Sequence, residues 1–475
     1  MKRLTKFILV AFVTMFFLSA CGPKEQKVYI LSINDMHANI DNFPKLAALV
    51  DSLRGVHPDL LLFSAGDNRS GNPFNDRFAE PSKPMYELMD SIGFNLSTFG
   101  NHEWDDGPIA LRKVLTWAKF PFVCANVKFD DTLQMPNVTP YIIYKRDGLK
   151  LGIIGGIQVG ENGLPDFHPK HANGSHFVPI ESVLPQYIDE LKDCNAIFLL
   201  SHCGYETDRE TAEKFPQLTA IFGGHSHTRV AEKQEVDGVM ITQAESRVTY
   251  LTFSTFTFQD GKLIDKDMQL LSVKDFKKSD EKVQAMVDNY NNNEYFYTVV
   301  GNNLTPIDRN EALGCLMADA FRYTTGADMA FQNPGGVRFD TLSARPITIK
   351  DLLALDPFDN EIVHYTLTGE EIISLMKVSP IVDKGPIYCS GCSYTYKVDE
   401  NGEITDYKVT LDNGKHLKMN AKYSVVMNSY MSSKFDFMHE DDGESTFRTS
   451  NQLLMEYLSL HPDIDYSNVS RIKEK

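Results

Sequence analysis

Five short polar segments, each following an apolar run of strand length, constrain most strongly what this chain can fold into. The apolar runs cover residues 28–33, 60–64, 96–99, 196–200 and 220–222, and the polar segments after them are Asn34-Asp35-Met36-His37, Gly66-Asp67-Asn68, Gly100-Asn101-His102-Glu103, Ser201-His202 and Gly223-Gly224-His225-Ser226-His227. In open α/β sheets, ligands bind at the carboxyl ends of the strands, so five such segments can converge on one site. We therefore expect an α/β fold with one polar site at a sheet edge.

The residue types in these segments favour a metal site. Aspartate, histidine and asparagine supply mixed oxygen and nitrogen ligands, which suit Mn, Zn, Fe, Co or Ni better than Ca or Mg. Two ions about 3.5–4 Å apart can share a carboxylate and hold both the attacking and the leaving oxygen of a displacement. A single histidine here would most simply be a core residue. Five segments in order predict a two-metal site, since burying these groups without metal would be costly.

The chain of 475 residues divides into two predicted domains. Residues 27–272 alternate strands and helices and contain two hairpin turns, at Asp147-Gly148 and Asp260-Gly261. Residues 273–298, first lysine-rich and then asparagine-rich, predict an exposed helix that links the domains.

The pattern restarts in residues 299–475, which predict a second α/β domain. A helix is expected from Glu311 toward Thr325, ending at Gly326, where a glycine favours the left-handed conformation after the last turn. A strand is expected over 329–332.

Charge limits the class of partner. The sequence has 47 Lys+Arg against 64 Asp+Glu, a formal net charge of −17. Proteins that bind nucleic-acid polymers need a basic face to displace counterions, so such a polymer is not expected as a partner. A small anionic ligand held by local cations or metals is compatible with this charge, and the oligomeric state is left open.

The N-terminus has the pattern of an export signal. Lys2, Arg3 and Lys6 precede an apolar stretch of twelve residues, 7–18, which is too short to span a bilayer and fits a signal peptide over residues 1–20. The following Leu18-Ser19-Ala20-Cys21 resembles the bacterial lipobox, in which the signal is cut before a cysteine that becomes acylated. The alternative is an ordinary secretory signal. We expect an exported protein, lipid-anchored to a bacterial membrane at the periplasm or cell surface.

The other cysteines suggest no metal site. Cys389 and Cys392 have CxxC spacing but lack a second pair or a nearby histidine, so a zinc knuckle is not expected. An exported location permits a local disulfide, and the sequence leaves open whether these two form one or remain free thiols.

The motifs NDMH, GDN, GNHEWD, SHCG and GGHSH resemble those of calcineurin-like metallophosphoesterases. With the second domain, the resemblance narrows to the family of 5′-nucleotidases, UDP-sugar hydrolases and 2′,3′-cyclic-nucleotide phosphodiesterases. This resemblance implies an N-terminal metallophosphoesterase β-sandwich flanked by helices, a linker helix and a C-terminal α/β substrate-binding domain. It also implies two divalent metal ions (Zn, Mn, Co or Fe) and a second domain that swings substrate onto them, with 273–298 near the hinge.

The same resemblance assigns roles to residues of the first domain. One ion would be held by Asp35, His37, Asp67 and His227, and the other by the bridging Asp67 with Asn101, His202 and His225. His102 and Asp105 resemble the catalytic pair, in which a protonated histidine stabilises the transferring phosphoryl group. Two departures are Ala38, where the family usually has glycine, and Trp104, where it usually has phenylalanine.

In the second domain the resemblance implies substrate contacts. The implied residues are Asn333 and Arg338 in a loop similar to NGGGIR, Phe358 in a segment similar to PFGN, Arg309 for an anionic group, Tyr430 as a second stacking aromatic and Asp436 for the ribose. The chain departs from the family pattern at Pro334, at Asp359 in place of glycine, and at Lys434-Phe435, where the family has two glycines before the aspartate.

The expected activity is release of phosphate from nucleotides by direct transfer to water, because no motif for a nucleophilic serine or cysteine is present. The sequence does not rank nucleoside monophosphates, UDP-sugars and 2′,3′-cyclic nucleotides as substrates. A thiosulfohydrolase shares this scaffold, but no residue favours it. A lipoprotein that binds nucleotides without turnover is the alternative of another class, and the retained His102 and Asp105 argue against it.

The anchor is testable by replacing the acylated cysteine. Wild-type protein expressed in a bacterium should partition into detergent or membranes, whereas Cys21→Ser should be soluble or uncleaved, since it lacks the thiol that is acylated. Cell fractionation with immunoblotting measures both. Equal membrane partitioning of a cleaved Cys21→Ser variant would contradict the anchor.

Overall fold

The computed structural model describes residues 25–160, 162–383, 385–399 and 404–475. The predicted signal segment 1–20 and Cys21 lie outside the described residues. Among the helices that are described, none combines the length and the apolarity needed to cross a lipid bilayer.

The N-terminal half contains two large sheets with helices on their outer faces. Its strands are β1 (Glu25–Ile33), β2 (Leu61–Ser64), β3 (Leu96–Ser97), β4 (Phe122–Val123), β5 (Val127–Phe129), β6 (Val138–Thr139), β7 (Tyr141–Arg146), β8 (Leu149–Ile157), β9 (Ser175–Phe177), β10 (Ala196–His202), β11 (Ala220–Phe222), β12 (Gln234–Val236), β13 (Val239–Thr242), β14 (Tyr250–Gln259) and β15 (Lys262–Ser272). Its helices are α1 (Phe43–Arg54), α2 (Pro73–Asp76), α3 (Lys83–Ile92), α4 (Gly107–Leu115), α5 (Leu184–Glu190), α6 (Tyr205–Lys214) and α7 (Glu281–Tyr290).

The sheets form a sandwich. One has the strand order β15-β14-β1-β2-β3-β4-β6 and the other β12-β13-β11-β10-β8-β7. Alternation along the strands explains the layers: Val28 and Ile30 of β1 pack between the sheets with Phe198 of β10, whereas Leu31 and Ile33 face the helices on the outer side. Strands with two apolar faces are buried on both sides, which is why they read as continuous apolar runs. The predicted β-sandwich flanked by helices is confirmed.

Strand direction brings the polar segments together. β1, β2 and β3 are parallel neighbours in one sheet, and β8, β10, β11 and β13 are parallel neighbours in the other. All five polar segments follow strands of these two parallel sets, so they emerge at the same edge of the sandwich. The two predicted hairpins, at Asp147-Gly148 and Asp260-Gly261, connect β7 to β8 and β14 to β15.

Within residues 273–298 the structure contains a helix, α7, that is exposed on one face and buried on the other. Helix α7 is capped by the Asp280 side chain and packs on α1 and α3 through Val283, Val287 and Tyr290, all of which are buried. The Tyr290 hydroxyl also donates to Glu87 of α3 at 2.5 Å. This amphipathic helix is therefore part of the N-terminal core.

The C-terminal half is a second α/β unit. Its strands are β16 (Val299–Asn303), β17 (Met329–Gln332), β18 (Arg345–Thr348), β19 (Glu361–Thr368), β20 (Tyr388–Ser390), β21 (Cys392–Val398), β22 (Ile404–Leu411), β23 (Lys422–Asn428), β24 (Glu444–Thr449), β25 (Asp463–Ile464) and β26 (Ile472–Glu474). Its helices are α8 (Asn310–Thr325), α9 (Ile349–Leu355), α10 (Gly369–Asp383), α11 (Ser429–Lys434) and α12 (Ser450–Leu460).

The five-stranded sheet β20-β17-β23-β19-β24 packs against α8, which contributes nine buried residues. Helix α8 ends at Gly326 with φ +73°, as its sequence predicts. The buried Cys389 and Cys392 are free thiols, and the Cys389 Sγ–H donates to the Cys392 carbonyl at 3.2 Å.

Candidate metal centre and active site

The loops that carry the candidate ligands have unusual backbone geometry. Asp35, His37, Asp67, His225 and His227 all have positive φ, between +46° and +78°. For residues other than glycine, such conformations cost roughly 1–3 kcal/mol each and persist where the surroundings impose them, typically at functional sites.

The backbone at Ala38 and at Gly100 shows why these motifs have small residues at those two positions. Ala38, where the family usually has glycine, is buried and has φ +50°. Any side chain at Gly100 would collide with the Asp67 carboxylate, so only glycine allows the Gly66 and Gly100 loops to approach this closely.

The predicted ligands form three overlapping groups whose ligand atoms lie within 4.8 Å of one another. The groups are Asp35 with His37 and His227, Asp35 with Asp67 and His202, and His37 with Asp67 and His102, and they contain five predicted ligands together with His102 of the predicted catalytic pair. The other two predicted ligands, His225 and Asn101, lie beside these groups: the His225 ring centre is 5.2 Å from that of His202, and Asn101 Oδ1 is 3.0 Å from His225 Nδ1.

Hydrogen bonds turn the imidazoles toward the cluster. His202 Nδ1 bonds the Ala65 carbonyl at 2.7 Å, and His37 Nδ1 bonds the Ser70 carbonyl at 3.1 Å. Each ring therefore directs Nε2 at the carboxylates, and the buried His202 Nε2 lies 3.1 Å from Asp67 Oδ2 without a hydrogen bond. Metal-bound histidines are typically anchored in this way through their second nitrogen, so the donor set fits divalent ions.

The carboxylate between the groups is held ionised. Burial alone would raise the pKa of Asp67, but His202 and His102 outweigh it and hold that pKa well below its usual value. Burial opposes protonation of His202, yet Asp67 and Asp35 raise the pKa of this histidine to about 10. Two buried carboxylates, Asp35 and Asp67, therefore stand at the centre of the cluster with imidazoles around them.

His102 and Asp105 form the predicted pair. His102 Nδ1 is 2.9 Å from Asp105 Oδ2, and the His102 backbone N–H donates to Asp67 at 2.9 Å. Burial would lower the pKa of His102, but Asp105 and Asp67 outweigh it and raise that pKa. The imidazolium therefore persists to higher pH than that of a free histidine.

Glu103 supports the centre in a role that the sequence did not predict. Its buried carboxylate accepts backbone N–H groups from Gly100 at 2.6 Å, Asn68 at 2.9 Å and Asp67 at 3.1 Å. Burial, with Asp67 nearby, raises its pKa to about 7. A glutamate three residues after a loop glycine is a signal for such a backbone clamp.

A cavity of about 500 Å³ opens on the metal cluster and on the C-terminal half. The predicted site residues in its wall are Asp67, Asn101, His102, Asp105, His225, His227, Asn333, Arg338, Phe358 and Tyr430. The remaining predicted ligands, Asp35, His37 and His202, are buried behind this wall.

Arg338 and Phe358 connect the two halves at the cavity. Arg338 Nη2 is 3.0 Å from His37 Nε2, and the Arg338 guanidinium lies 5.7 Å from the centre of the Phe358 ring. Phe358 in turn stacks on His102, with the ring centres 5.5 Å apart and an interplanar angle of 18°. The C-terminal half thus places a cation and an aromatic ring beside the catalytic pair.

Two predicted substrate residues are not brought to this cavity. Arg309 begins α8 and donates to the Val469 carbonyl at 2.7 Å, holding the C-terminal segment. Asp436 is exposed, while its neighbours Phe435 and Phe437 are buried. Helix α11 ends at Lys434 and the chain is extended at Phe435, and neither Arg309 nor Asp436 is in the cavity wall.

Comparison with known proteins identifies the family. The family model for calcineurin-like phosphoesterases matches residues 28–229, and the model for the 5′-nucleotidase C-terminal domain matches residues 296–439. Together they cover more than half of the chain. The chain belongs to the calcineurin-like phosphoesterases that carry a 5′-nucleotidase C-terminal domain. The predicted family and the prediction of a metal-dependent phosphoesterase are confirmed.

Individual relatives are distant. The chain is 25% identical to the 5′-nucleotidase of Vibrio parahaemolyticus serotype O3:K6, over 88% of this chain and 84% of that protein. It is 26% identical to endonuclease YhcR of Bacillus subtilis (strain 168), covering 87% of this chain but only 38% of that longer protein. The 5′-nucleotidase precursor from Thermus thermophilus has the same fold, with a TM-score of 0.85, 22% identity and coverage of 94% and 99% of the two chains.

We refer below to residues 28–229 as the phosphoesterase domain and to residues 296–439 as the nucleotidase domain. The boundaries predicted from the sequence, at 27–272, 273–298 and 299–475, remain predictions.

His102→Ala should lower kcat for an aryl phosphate by about 10²–10⁴-fold, the usual contribution of a positioned proton-carrying group. Metal content, measured by elemental analysis, should stay near normal because His102 is assigned to the phosphoryl group and not to metal. A variant that keeps its rate, or that loses its metal, would contradict this role.

The pH profile tests the partner of His102. Since Asp105 helps to raise the pKa of His102, the wild-type rate should fall as pH rises through that raised value. Asp105→Asn removes the charge and should move this alkaline limb to lower pH, whereas an unchanged profile would disprove the coupling.

Proposed function

We propose that the protein is a two-metal phosphohydrolase that releases phosphate from nucleotides outside the cytoplasm. The observation that carries this proposal is that one cavity joins the metal cluster and the His102–Asp105 pair to an arginine and two aromatic side chains, Phe358 and Tyr430. A phosphate ester that carries a flat, polar base fits these groups. Its phosphate would face the metal cluster, His102 and the arginine, and its base would face the two aromatic rings.

The proposed ligand sets are those that the family resemblance implies. Asp35, His37 and His227 with Asp67 would hold one ion, and Asp67 with Asn101, His202 and His225 the other. Ions held there would supply Lewis acidity and lower the pKa of water toward neutrality. Asp67 faces both sets, since its Oδ2 is 3.1 Å from His202 and 3.9 Å from His37.

The chain's own groups account for the rest of the chemistry. His102, kept protonated by Asp105, donates to the phosphoryl oxygens as charge builds on them. Arg338 offers a planar fork for the same anionic group, and its position beside His37 places that fork at the cluster. The phosphoryl group passes directly to water.

Phe358 and Tyr430 are proposed to stack on the base. They come from different elements, a loop after α9 and helix α11, and line the same cavity. Stacking is worth about 1–3 kcal/mol per base and tolerates different bases. Asn428 donates to Asn333 Oδ1 at 2.8 Å and so fixes the Asn333 side chain. Asn333 is proposed to make a polar contact with the substrate.

The substrate within this class and the location are further parts of the proposal. A nucleoside monophosphate is the leading substrate, with UDP-sugars and 2′,3′-cyclic nucleotides as alternatives on the same centre. The anchor at Cys21 would hold the enzyme on a bacterial membrane. Phosphate release from a substrate panel, with and without chelator, ranks the three substrates and separates an enzyme from a nucleotide-binding lipoprotein.

Activity should require divalent metal, and Asp67→Asn should weaken both metal positions at once, because one carboxylate serves both sets. Elemental analysis and turnover of a nucleoside monophosphate are measured together. Full activity of the chelated, metal-free protein would refute the two-metal proposal. Loss of only one ion in Asp67→Asn would refute the bridging role.

Tyr430→Ala should lower kcat/KM for a nucleotide by roughly 5- to 150-fold, chiefly through KM, since one stacking face is lost. Hydrolysis of a small aryl phosphate should change little. The ratio of the two specificity constants is the observable, because loss of folded protein cancels from it. Parallel losses for both substrates would show that Tyr430 is a packing residue.

Phe358→Ala is a less selective test. Because Phe358 stacks on His102, this change should also lower aryl phosphate turnover somewhat, while the nucleotide is affected more. A larger loss for the aryl phosphate than for the nucleotide would contradict a base-reading role for Phe358.

A further inference from the structure

One residue that the sequence did not single out, Asp166, contacts two candidate ligands of the same metal position. Its backbone carbonyl accepts from Asn101 Nδ2 at 2.8 Å, and its carboxylate Oδ2 lies 3.5 Å from His225 Nε2. Asp166 lies in the loop that follows β8, and Gln158 fixes it by accepting its backbone N–H at 3.1 Å.

These contacts fix the orientation of the His225 ring between two side chains. Nε2 faces the Asp166 carboxylate, and Nδ1 lies 3.0 Å from Oδ1 of Asn101. The Asn101 amide is held in this orientation because its Nδ2 donates to the Asp166 carbonyl. A carboxylate only accepts hydrogen bonds, so a proton on Nε2 suits Asp166 and leaves Nδ1, together with Asn101 Oδ1, to bind a cation.

Asp166 also receives a side chain from the nucleotidase domain. Lys434 Nζ lies 3.4 Å from Asp166 Oδ1 and 3.4 Å from the Pro165 carbonyl. The Lys434 side chain is only 7% exposed, so this ammonium group is withdrawn from water at the domain contact. Lys434 is one of the residues that replace glycine in the family pattern.

Helix α11 gives this contact a connection to the substrate cavity. Tyr430, which lines the cavity, and Lys434 are four residues apart on α11 and share one face of that helix. The contact between Lys434 and Asp166 therefore positions Tyr430 in the cavity. The same contact supports His225 and Asn101, which Asp166 touches.

We propose that Asp166 is a positioning residue that connects Lys434 of α11 to the metal ligands His225 and Asn101, so that docking of the nucleotidase domain organises one of the two metal positions. This inference rests on the metal centre of the proposed function. Outer partners of metal-binding histidines typically contribute about 10–100-fold to metal affinity.

The test is calorimetric titration of the metal-stripped mature chain with Mn²⁺, which reads binding without turnover. Asp166→Asn, which keeps the shape of the side chain, should weaken one binding step by about 10–100-fold and leave the other unchanged. Lys434→Met should weaken the same step less, by several-fold, and Lys434→Arg should restore it because the charge is kept.

Lys350→Met is the matched control. Lys350 also crosses from the nucleotidase domain to the phosphoesterase domain, 3.3 Å from Asp41, but Asp41 contacts none of the candidate ligands. Both binding steps should keep their wild-type affinity in this variant. Thermal unfolding of each variant verifies that the fold is retained.

The inference would be overturned if Asp166→Asn bound Mn²⁺ with the wild-type affinity at both steps. It would also be overturned if Lys434→Met and Lys350→Met bound Mn²⁺ with equal affinities. If Asp166→Asn fails to fold, the comparison between the two lysine variants decides alone. A wild-type chain that binds two ions with this coupling yet releases no phosphate from nucleotides would refute the proposed function and leave the coupling intact. A wild-type chain that binds no Mn²⁺ would overturn both.

Discussion

The structure depends on one buried carboxylate. Asp67 is 2% exposed and receives the His102 N–H on Oδ1, while Oδ2 faces the Nε2 atoms of His202, His37 and His102. An isolated carboxylate would be costly to bury, so the surrounding histidines and the backbone donors are required for it to remain charged. The glycines beside it, the positive φ angles and the Glu103 clamp all serve to bring polar groups to this point.

The sequence predicted the parts of this arrangement that are local. Apolar runs with polar ends locate the strands, and Asp147-Gly148 locates a hairpin, because strand pairing and turn chemistry act over a few residues. The lysine-rich and asparagine-rich composition of residues 273–298 predicted an exposed helix, and composition alone does not report the face of α7 that Val283, Val287 and Tyr290 bury.

Long-range placement could not be predicted in the same way. Asp166 is in an irregular loop. It contacts Asn101, 65 positions away in the sequence, and Lys434, 268 positions away. Residue spacing predicts only neighbours within one helix, strand or turn, so it could not predict these contacts. Arg309 and Asp436 were assigned by position in motifs with substitutions nearby. For Asp436 the change is Lys434-Phe435 in place of two glycines: Lys434 is the last residue of α11 and Phe435 is buried.

Two charged substitutions in the nucleotidase domain have a shared consequence. Asp359 has φ +52°, a conformation that glycine adopts freely and aspartate tolerates, and its carboxylate lies 2.9 Å from Arg77 across the domain contact. The Arg77 side chain is 44% exposed, and such pairs typically contribute about 0–1 kcal/mol. Lys434 is almost fully buried against Asp166, where solvent screens less and an unpaired partner costs more. Of the two contacts, the one made by Lys434, which reaches the candidate ligands through Asp166, is therefore also the one whose loss should cost more.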